Sequence, residues 1–102
     1  MEYIILTFVV EREGEYHVSS CLELGTASFG RDIDEALENL ADATEVYLNT
    51  LEDLGERRLV LNQKAVRVYS YKPAELEVRR TTKFPAGSTI QPTVIPLQPA
   101  CA

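Results

Sequence analysis

The sequence is short of the side chains that most often carry chemistry in enzymes. It contains one histidine, His17, two cysteines, Cys21 and Cys101, and no tryptophan. The cysteines lie far apart and form no CxxC pair, so the sequence contains no recognisable zinc or dithiol motif. His17 has no identifiable orienting acid, and therefore no Ser-His-Asp arrangement can be assembled. We predict a protein that is not an enzyme and that uses no metal and no cofactor.

Long apolar runs are also missing. The run at residues 4–10 is far shorter than the roughly 20 residues that a membrane-spanning helix needs. It follows Glu2 rather than a basic region, which is unlike a signal peptide. The sequence therefore predicts a cytoplasmic protein that does not contact a membrane.

Charge is divided unevenly along the chain. Residues 1–56 contain 14 acidic and 2 basic side chains, a net charge of −12, whereas residues 57–102 contain 8 basic and 2 acidic side chains, a net charge of +6. An acidic half suits a basic protein partner, and a basic half suits nucleic acid.

Strand periodicity changes to helix periodicity near residue 30. Residues 1–10 and 15–22 alternate like strands around a turn at Gly14, and residues 26–29 form a third short run. Apolar side chains then recur at intervals of four and three, which predicts one amphipathic helix: Ile33, Leu37, Leu40, Thr44, Tyr47, Leu51 and Leu54. Gly55 is placed to end this helix. We predict an α+β fold, a small antiparallel or mixed sheet of three to five strands with one long helix on one face.

The acids after Gly30 are best explained as a helix start. Asp32 precedes the first helical residue and Glu35 follows three positions later, which is the spacing of a capping box. A two-metal nuclease of the ribonuclease H type would need a carboxylate within the first strand, facing these acids. Glu2 and Glu11 lie only at its ends, so we predict a structural cap at Asp32 and Glu35.

Two further groups of residues are candidates for protein contacts. One helix covers only one sheet face, so the other apolar face of the first strand needs a second copy or a partner. The acidic side of the helix can steer a basic partner, although such acids also serve simply to solvate a helix. Candidates for self-association are Tyr3, Ile5, Val9, Ile90 and Val94, and candidates for partner binding are Glu38, Asp42, Glu45 and Glu52.

The chain divides into a domain over residues 1–83 and a tail over residues 84–102. The tail has no charged side chain. Its prolines exclude a helix and permit only an edge strand near residues 89–97, in this chain or in a neighbouring subunit. The tail is therefore expected to be an edge strand or an oligomer contact.

The segment "EYHVSSCLELGTASFGRDIDEALENLADATEVYLNTLEDLGE", residues 15–56, resembles the HicB-type antitoxin family. The likeness consists of a strand entering the "CLEL" turn, a short strand, Gly30 and the helix beginning "DEALENL". The stretch "LGERRLVLNQKAVRVY" is similar to small stand-alone members. The resemblance implies a ββ(β)αβ core, a partial ribonuclease H-like fold, and a homo-oligomer that binds and blocks a small basic HicA-type toxin that cleaves messenger RNA.

Two features depart from the family pattern. Arg31 follows Gly30, where an acid is common, and the region after Tyr71 lacks the helical periodicity of a C-terminal DNA-binding domain. Operator binding is therefore not implied. The alternative is a nucleic-acid-binding regulator that uses the basic region of residues 57–83, with these candidate contacts: Arg57, Arg58, Lys64, Arg67, Arg79 and Arg80. A ribonuclease H-like hydrolase is a third, weaker alternative.

Overall fold

The structure is a computed structural model that describes residues 1–73 and 87–99. Within these residues five strands form one antiparallel sheet: β1 (Glu2–Glu13), β2 (Tyr16–Cys21), β3 (Ala27–Gly30), β4 (Val68–Tyr69) and β5 (Thr89–Leu97). The long helix α1 (Ile33–Asp53) packs on the sheet, and a short helix α2 (Arg57–Gln63) follows it. The predicted α+β fold with one long helix is confirmed. Neither helix is long and apolar enough to cross a membrane.

β1 is the central strand. It pairs with β5 along nine positions, from Glu2 opposite Leu97 to Val10 opposite Thr89. It also pairs with β2 near its end and with β4 near its start. Because a strand has two edges, β2 and β4 share one edge of β1 and β5 occupies the other, while β3 continues the sheet beyond β2. The strand predicted in the tail therefore joins its own sheet. The predicted domain boundary at residues 83 and 84 lies outside the described residues.

The backbone nitrogens of two prolines in the edge strand β5, Pro92 and Pro96, point away from β1. The Thr7 N–H donates to Glu23 Oε1 at 2.8 Å, and the Thr7 carbonyl accepts from the Leu22 N–H at 3.0 Å. Both groups therefore point away from β5, which makes Thr7 and its partner Pro92 a pair without mutual hydrogen bonds. Pro96 lies four residues further on and has the same orientation. Both proline nitrogens thus face the outer edge of β5. The prolines therefore remove N–H donors from that edge and do not interrupt the hydrogen bonds between β5 and β1.

The start of α1 uses the acids that the sequence suggested. Asp32 is the N-cap residue, and its Oδ1 accepts from the Glu35 N–H at 2.7 Å. The reciprocal contact differs from a capping box, because Glu35 Oε1 accepts from the Arg31 N–H at 3.2 Å and not from the Asp32 N–H. Both carboxylates therefore compensate the exposed donors at this helix end.

The end of α1 is a Schellman motif. Gly55 has a φ of 73°, and the Glu56 N–H donates to the Leu51 carbonyl at 2.8 Å. Glycine takes this left-handed conformation without steric cost, and the motif satisfies carbonyls in the last turn.

The buried face of α1 is rotated relative to the predicted stripe. The residues buried on it are Ala36, Leu40, Thr44, Leu48 and Leu51. Ile33 and Leu54, the ends of the predicted stripe, are 37% and 65% exposed. The helix approaches β3 closely, since a Cβ on Gly30 would lie 2.5 Å from the Ala36 nitrogen. Glycine at position 30 permits this approach, and Ala36 is fully buried there.

Candidate partner-binding surface

An acidic stripe runs along the exposed side of α1. Glu38, Asp42 and Glu45 are all exposed, and Asp34 lies one turn before Glu38. Spacings of four, four and three residues place these side chains on one strip of a helix. The ion pairs in the described part of the chain join Arg31 to Glu35, Arg57 to Glu52 and Arg58 to Glu2. The four acids of the acidic stripe have no such partner there.

Glu52 does not belong to the acidic stripe. Its Oε2 lies 2.9 Å from Nη2 of Arg57, and only 29% of its side chain is exposed. The Arg57 side chain is 7% exposed, and its Nη1 donates to the Gln98 carbonyl at 2.7 Å. Glu52 and Arg57 therefore tie the end of α1 to the segment that follows β5.

A groove lies between α1 and β5, beside the acidic stripe. It has a volume of about 340 Å³ and is called the α1–β5 groove below. Its lining combines apolar, polar and charged residues: Phe8, Leu37, Glu38, Ala41, Lys72 and residues 91–94. Glu38 is thus both a member of the acidic stripe and part of the groove wall.

The groove exists because α1 lies over β2 and β3, the half of the sheet that is away from β5. Ser19 Oγ donates to the Ala36 carbonyl at 2.8 Å, and the hydroxyls of Thr26 and Thr44 lie 2.9 Å apart. Asn39 Nδ2 also donates to the Phe29 carbonyl at 2.9 Å. These bonds hold α1 above β2 and β3, so the first half of β5 is left beside the helix rather than beneath it.

The candidate self-association residues share the sheet face opposite α1. Ile5 lies opposite Val94 and Val9 opposite Ile90, and Tyr3 is on the same face because strand side chains alternate. However, Val9 is only 4% exposed, and Thr7 between Ile5 and Val9 is 0% exposed. These two side chains are therefore already buried within the single chain, and self-association through this face stays a prediction. The side chains of this face that are still accessible to solvent lie around Thr7 and Val9.

An aromatic pair on the same face was not among the predicted site residues. Tyr16 and Phe29 are 50% and 61% exposed, and their ring centroids are 5.9 Å apart in an edge-to-face arrangement. They line a shallow depression with Val18 and Ala27. Alternation along β2 indicated which way Tyr16 points, but only the pairing of Val18 with Phe29 brings the two rings together.

The Cys21 thiol is buried beneath the helix side of the sheet. Burial raises the pKa of Cys21 from 9.0 to about 11, with the nearby Glu23 carboxylate as a smaller cause. A thiol with such a pKa is almost entirely protonated at neutral pH and is a poor nucleophile. Cys21 is therefore a packing residue.

We expect the burial of Cys21 to make stability depend on alkaline pH. Below about pH 9 the thiol is protonated whether the chain is folded or not, and its contribution to stability is complete. As the pH rises from about 9 to about 11, the unfolded thiol ionises first and the free energy of unfolding falls. Urea denaturation at about pH 8 and about pH 10.5 measures this change. Cys21→Ala should have a smaller pH dependence, and an equal dependence would contradict the assignment.

The basic residues suggested for nucleic acid are in different environments. Arg57 is buried, and Arg58 contacts Glu2 at 3.4 Å. The Arg67 guanidinium lies 5.1 Å from the ring centroid of Tyr69, and Lys64 is exposed. Arg79 and Arg80 lie outside the described residues.

The lone histidine, His17, has a buried Nδ1 without a hydrogen-bond partner. No three His, Cys, Asp or Glu side chains among residues 1–73 and 87–99 come together in a group that could hold a metal ion.

Comparison with protein-family models, with curated protein sequences and with solved structures finds no match to this chain. The relationship to HicB-type antitoxins therefore stays a prediction from the motifs of residues 15–56.

Proposed function

We propose that this chain is a non-catalytic antitoxin-type protein that binds and neutralises a small basic HicA-type toxin. The observation that carries the proposal is the acidic stripe, whose four carboxylates are without a basic partner in the described part of the chain. Four acids along about three turns of a rigid helix create a negative field that attracts and orients a basic protein.

The family resemblance and the acidic stripe involve the same elements. Residues 15–56 include β2, β3 and α1, and the stripe lies within α1. The sequence similarity to HicB-type antitoxins thus covers the surface that we assign to the partner. This agreement supports a protein-binding role over a catalytic one.

Three side chains that might otherwise suggest catalysis have structural roles. Asp32 and Glu35 accept backbone N–H groups at the start of α1. Cys21 is buried with a raised pKa. Because these three side chains have structural roles, no catalytic role is needed to explain where they lie. This supports the non-catalytic assignment.

Co-expression tests the proposal. The small open reading frame adjacent to this gene is expressed alone and with this chain, and growth, messenger RNA integrity and co-purification are measured. We expect growth arrest from the neighbouring product alone, and both recovery and a stable complex when this chain is present. A product that is harmless or that does not co-purify would refute toxin neutralisation.

Self-association is part of the proposal, as a dimer or tetramer. The side chains available on the face opposite α1 are Ile90, which is 39% exposed, and the half-buried Tyr3, Ile5 and Val94. Native mass spectrometry should therefore detect an oligomer that Ile90→Glu converts to monomer. A monomeric wild-type protein would remove this part of the proposal and leave toxin binding unaffected.

A nucleic-acid-binding regulator is the second candidate. Arg67 above the Tyr69 ring, with Tyr71 at 5.7 Å from Tyr69, is a combination of cation and aromatic rings that suits single-stranded nucleic acid. Against it, Arg57 is buried and bonded within the chain. Binding to single-stranded RNA that weakens steeply with salt and is lost in Tyr69→Ala would favour it. No retention at low salt would exclude it.

A further inference from the structure

We infer that the α1–β5 groove is the docking site for a basic amphipathic helix of the toxin, with apolar side chains in the groove and Lys or Arg paired to Glu38 and Asp42. This inference rests on the proposed function and adds the place, the secondary structure and the chemistry of the contact.

The dimensions of the sheet leave space for a helix beside α1. Neighbouring strands are about 4.8 Å apart, so the positions of β3, β2, β1 and β5 span roughly 15 Å between outer strand axes. A helix with its side chains is about 10 Å wide. Because Ser19 and Thr26 hold α1 above β2 and β3, α1 leaves the first half of β5 uncovered among the described residues.

The groove is suited to apolar side chains. Phe8 is 1% exposed, and Leu37 and Ala41 on α1 are half-buried. Gln91 lines the other wall, but its Nε2 already donates to the Pro92 carbonyl at 2.9 Å. A ligand side chain in this groove therefore gains mainly apolar burial, about 25 cal/mol per Å² removed from water.

The outer edge of β5 is poorly suited to an added strand. Pro92 and Pro96 provide no N–H on this edge, and the Pro92 carbonyl accepts a hydrogen bond from Gln91. Strand addition depends on an uninterrupted row of main-chain donors and acceptors. A helix satisfies its own backbone hydrogen bonds and needs none from β5, so helix docking fits this groove better.

Charge determines which helix fits. Glu38 lines the groove, and Asp42 is exposed one turn further along α1. Lys72 is the one basic residue among the described lining residues, against the four acids of the acidic stripe. A partner helix with Lys or Arg at a spacing of three or four residues would present its charges on one side, where they can pair with these carboxylates.

The experiment measures the affinity of the full chain for the HicA-type toxin, carrying an inactivating substitution, by calorimetry at two salt concentrations. We expect Glu38→Lys combined with Asp42→Lys to weaken binding at least tenfold and to reduce its salt dependence. Ala41→Gln, which adds bulk in the groove without adding charge, should also weaken binding at least tenfold. Circular dichroism checks that both proteins fold, because Ala41 is half-buried and packs against the hydrophobic core.

Glu56→Lys is the matched control. Glu56 is exposed, makes no side-chain cap bond to α2 and lies at the far end of α1, so this change should alter affinity less than threefold. Wild-type binding that the groove variants leave unchanged would overturn the inference and retain the proposed function. If Glu56→Lys loses as much affinity per changed charge as the Glu38→Lys and Asp42→Lys double variant, the attraction is general. That result would overturn the assignment of the groove as the docking site. A wild-type chain that binds no toxin refutes both.

Discussion

Replacing Phe8 by alanine is expected to lower the free energy of unfolding by about 3–5 kcal/mol. Phe8 is 1% exposed and lies in the hydrophobic core, and its neighbours in β1 are fixed on both edges by β2 and β5. The surrounding backbone is therefore poorly able to collapse into the cavity. Urea denaturation with linear extrapolation gives the change. This is a large part of the total free energy of unfolding, which is only about 5–15 kcal/mol for most small domains.

Phe29→Ala provides a control with the same chemical change. Phe29 is 61% exposed and contacts the Tyr16 ring edge to face. Its loss should cost less than about 1.5 kcal/mol, within the range of one aromatic pair. Similar costs for the two substitutions would mean that the helix side of β1 is not the core of this protein.

Arg57→Ala is expected to have the second largest effect, about 2–3 kcal/mol. The substitution removes the bond to the Gln98 carbonyl and leaves the Glu52 carboxylate unpaired. Breaking a fully buried ion pair costs roughly 3–5 kcal/mol. The Glu52 side chain is 29% exposed, and solvent screening places the expected cost below that range. Denaturation again measures the change.

Arg58→Ala tests the neighbouring arginine under the same change. Arg58 is 71% exposed and lies 3.4 Å from a carboxylate that is itself 45% exposed, so its removal should cost less than about 1 kcal/mol. Hydrogen exchange should also be faster in β5 of Arg57→Ala, because the anchor at Gln98 is lost, and unchanged in Arg58→Ala. Equal effects of the two substitutions would contradict the role of Arg57 as the anchor of this segment.

The Arg57 result also bears on function. Because β5 forms one wall of the α1–β5 groove, loosening its end is expected to weaken the toxin binding that we propose, through the shape of that wall. The effect should be smaller than that of the groove variants, since residues 89–97 remain paired with β1 along nine positions.

The elements of this fold that depend on local sequence were predictable. Asp32 at the start of α1, Gly55 at its end and the turn at Gly14, whose φ is 63°, each need a particular residue type at one place in the chain. Alternation along a strand also places Ile4, Leu6 and Phe8 on one face, and all three are buried. Such features follow from hydrogen bonding and allowed dihedral angles within a few residues.

The candidate site was only partly predictable, because four acids with the same charge have different surroundings. Glu38, Asp42 and Glu45 are exposed as expected, but Glu52 is bound by Arg57. A helical period of 3.6 residues gives the direction of each side chain and says nothing about which residue comes to meet it. The groove beside Glu38 could not be predicted either, because the sequence pattern does not show that β5 lies next to α1.

Composition and periodicity alone establish an acidic, capped helix, a strand that is apolar on both faces and an uncharged segment near the end that can only be an edge strand. Which molecule that segment pairs with was left open, since residues 89–97 and 2–10 are distant in sequence and no local pattern specifies their register. Tertiary structure places β5 on its own β1 and buries Val9 and Arg57. Long-range strand pairing decides this because its free energy comes from contacts between residues that the chain brings together only on folding.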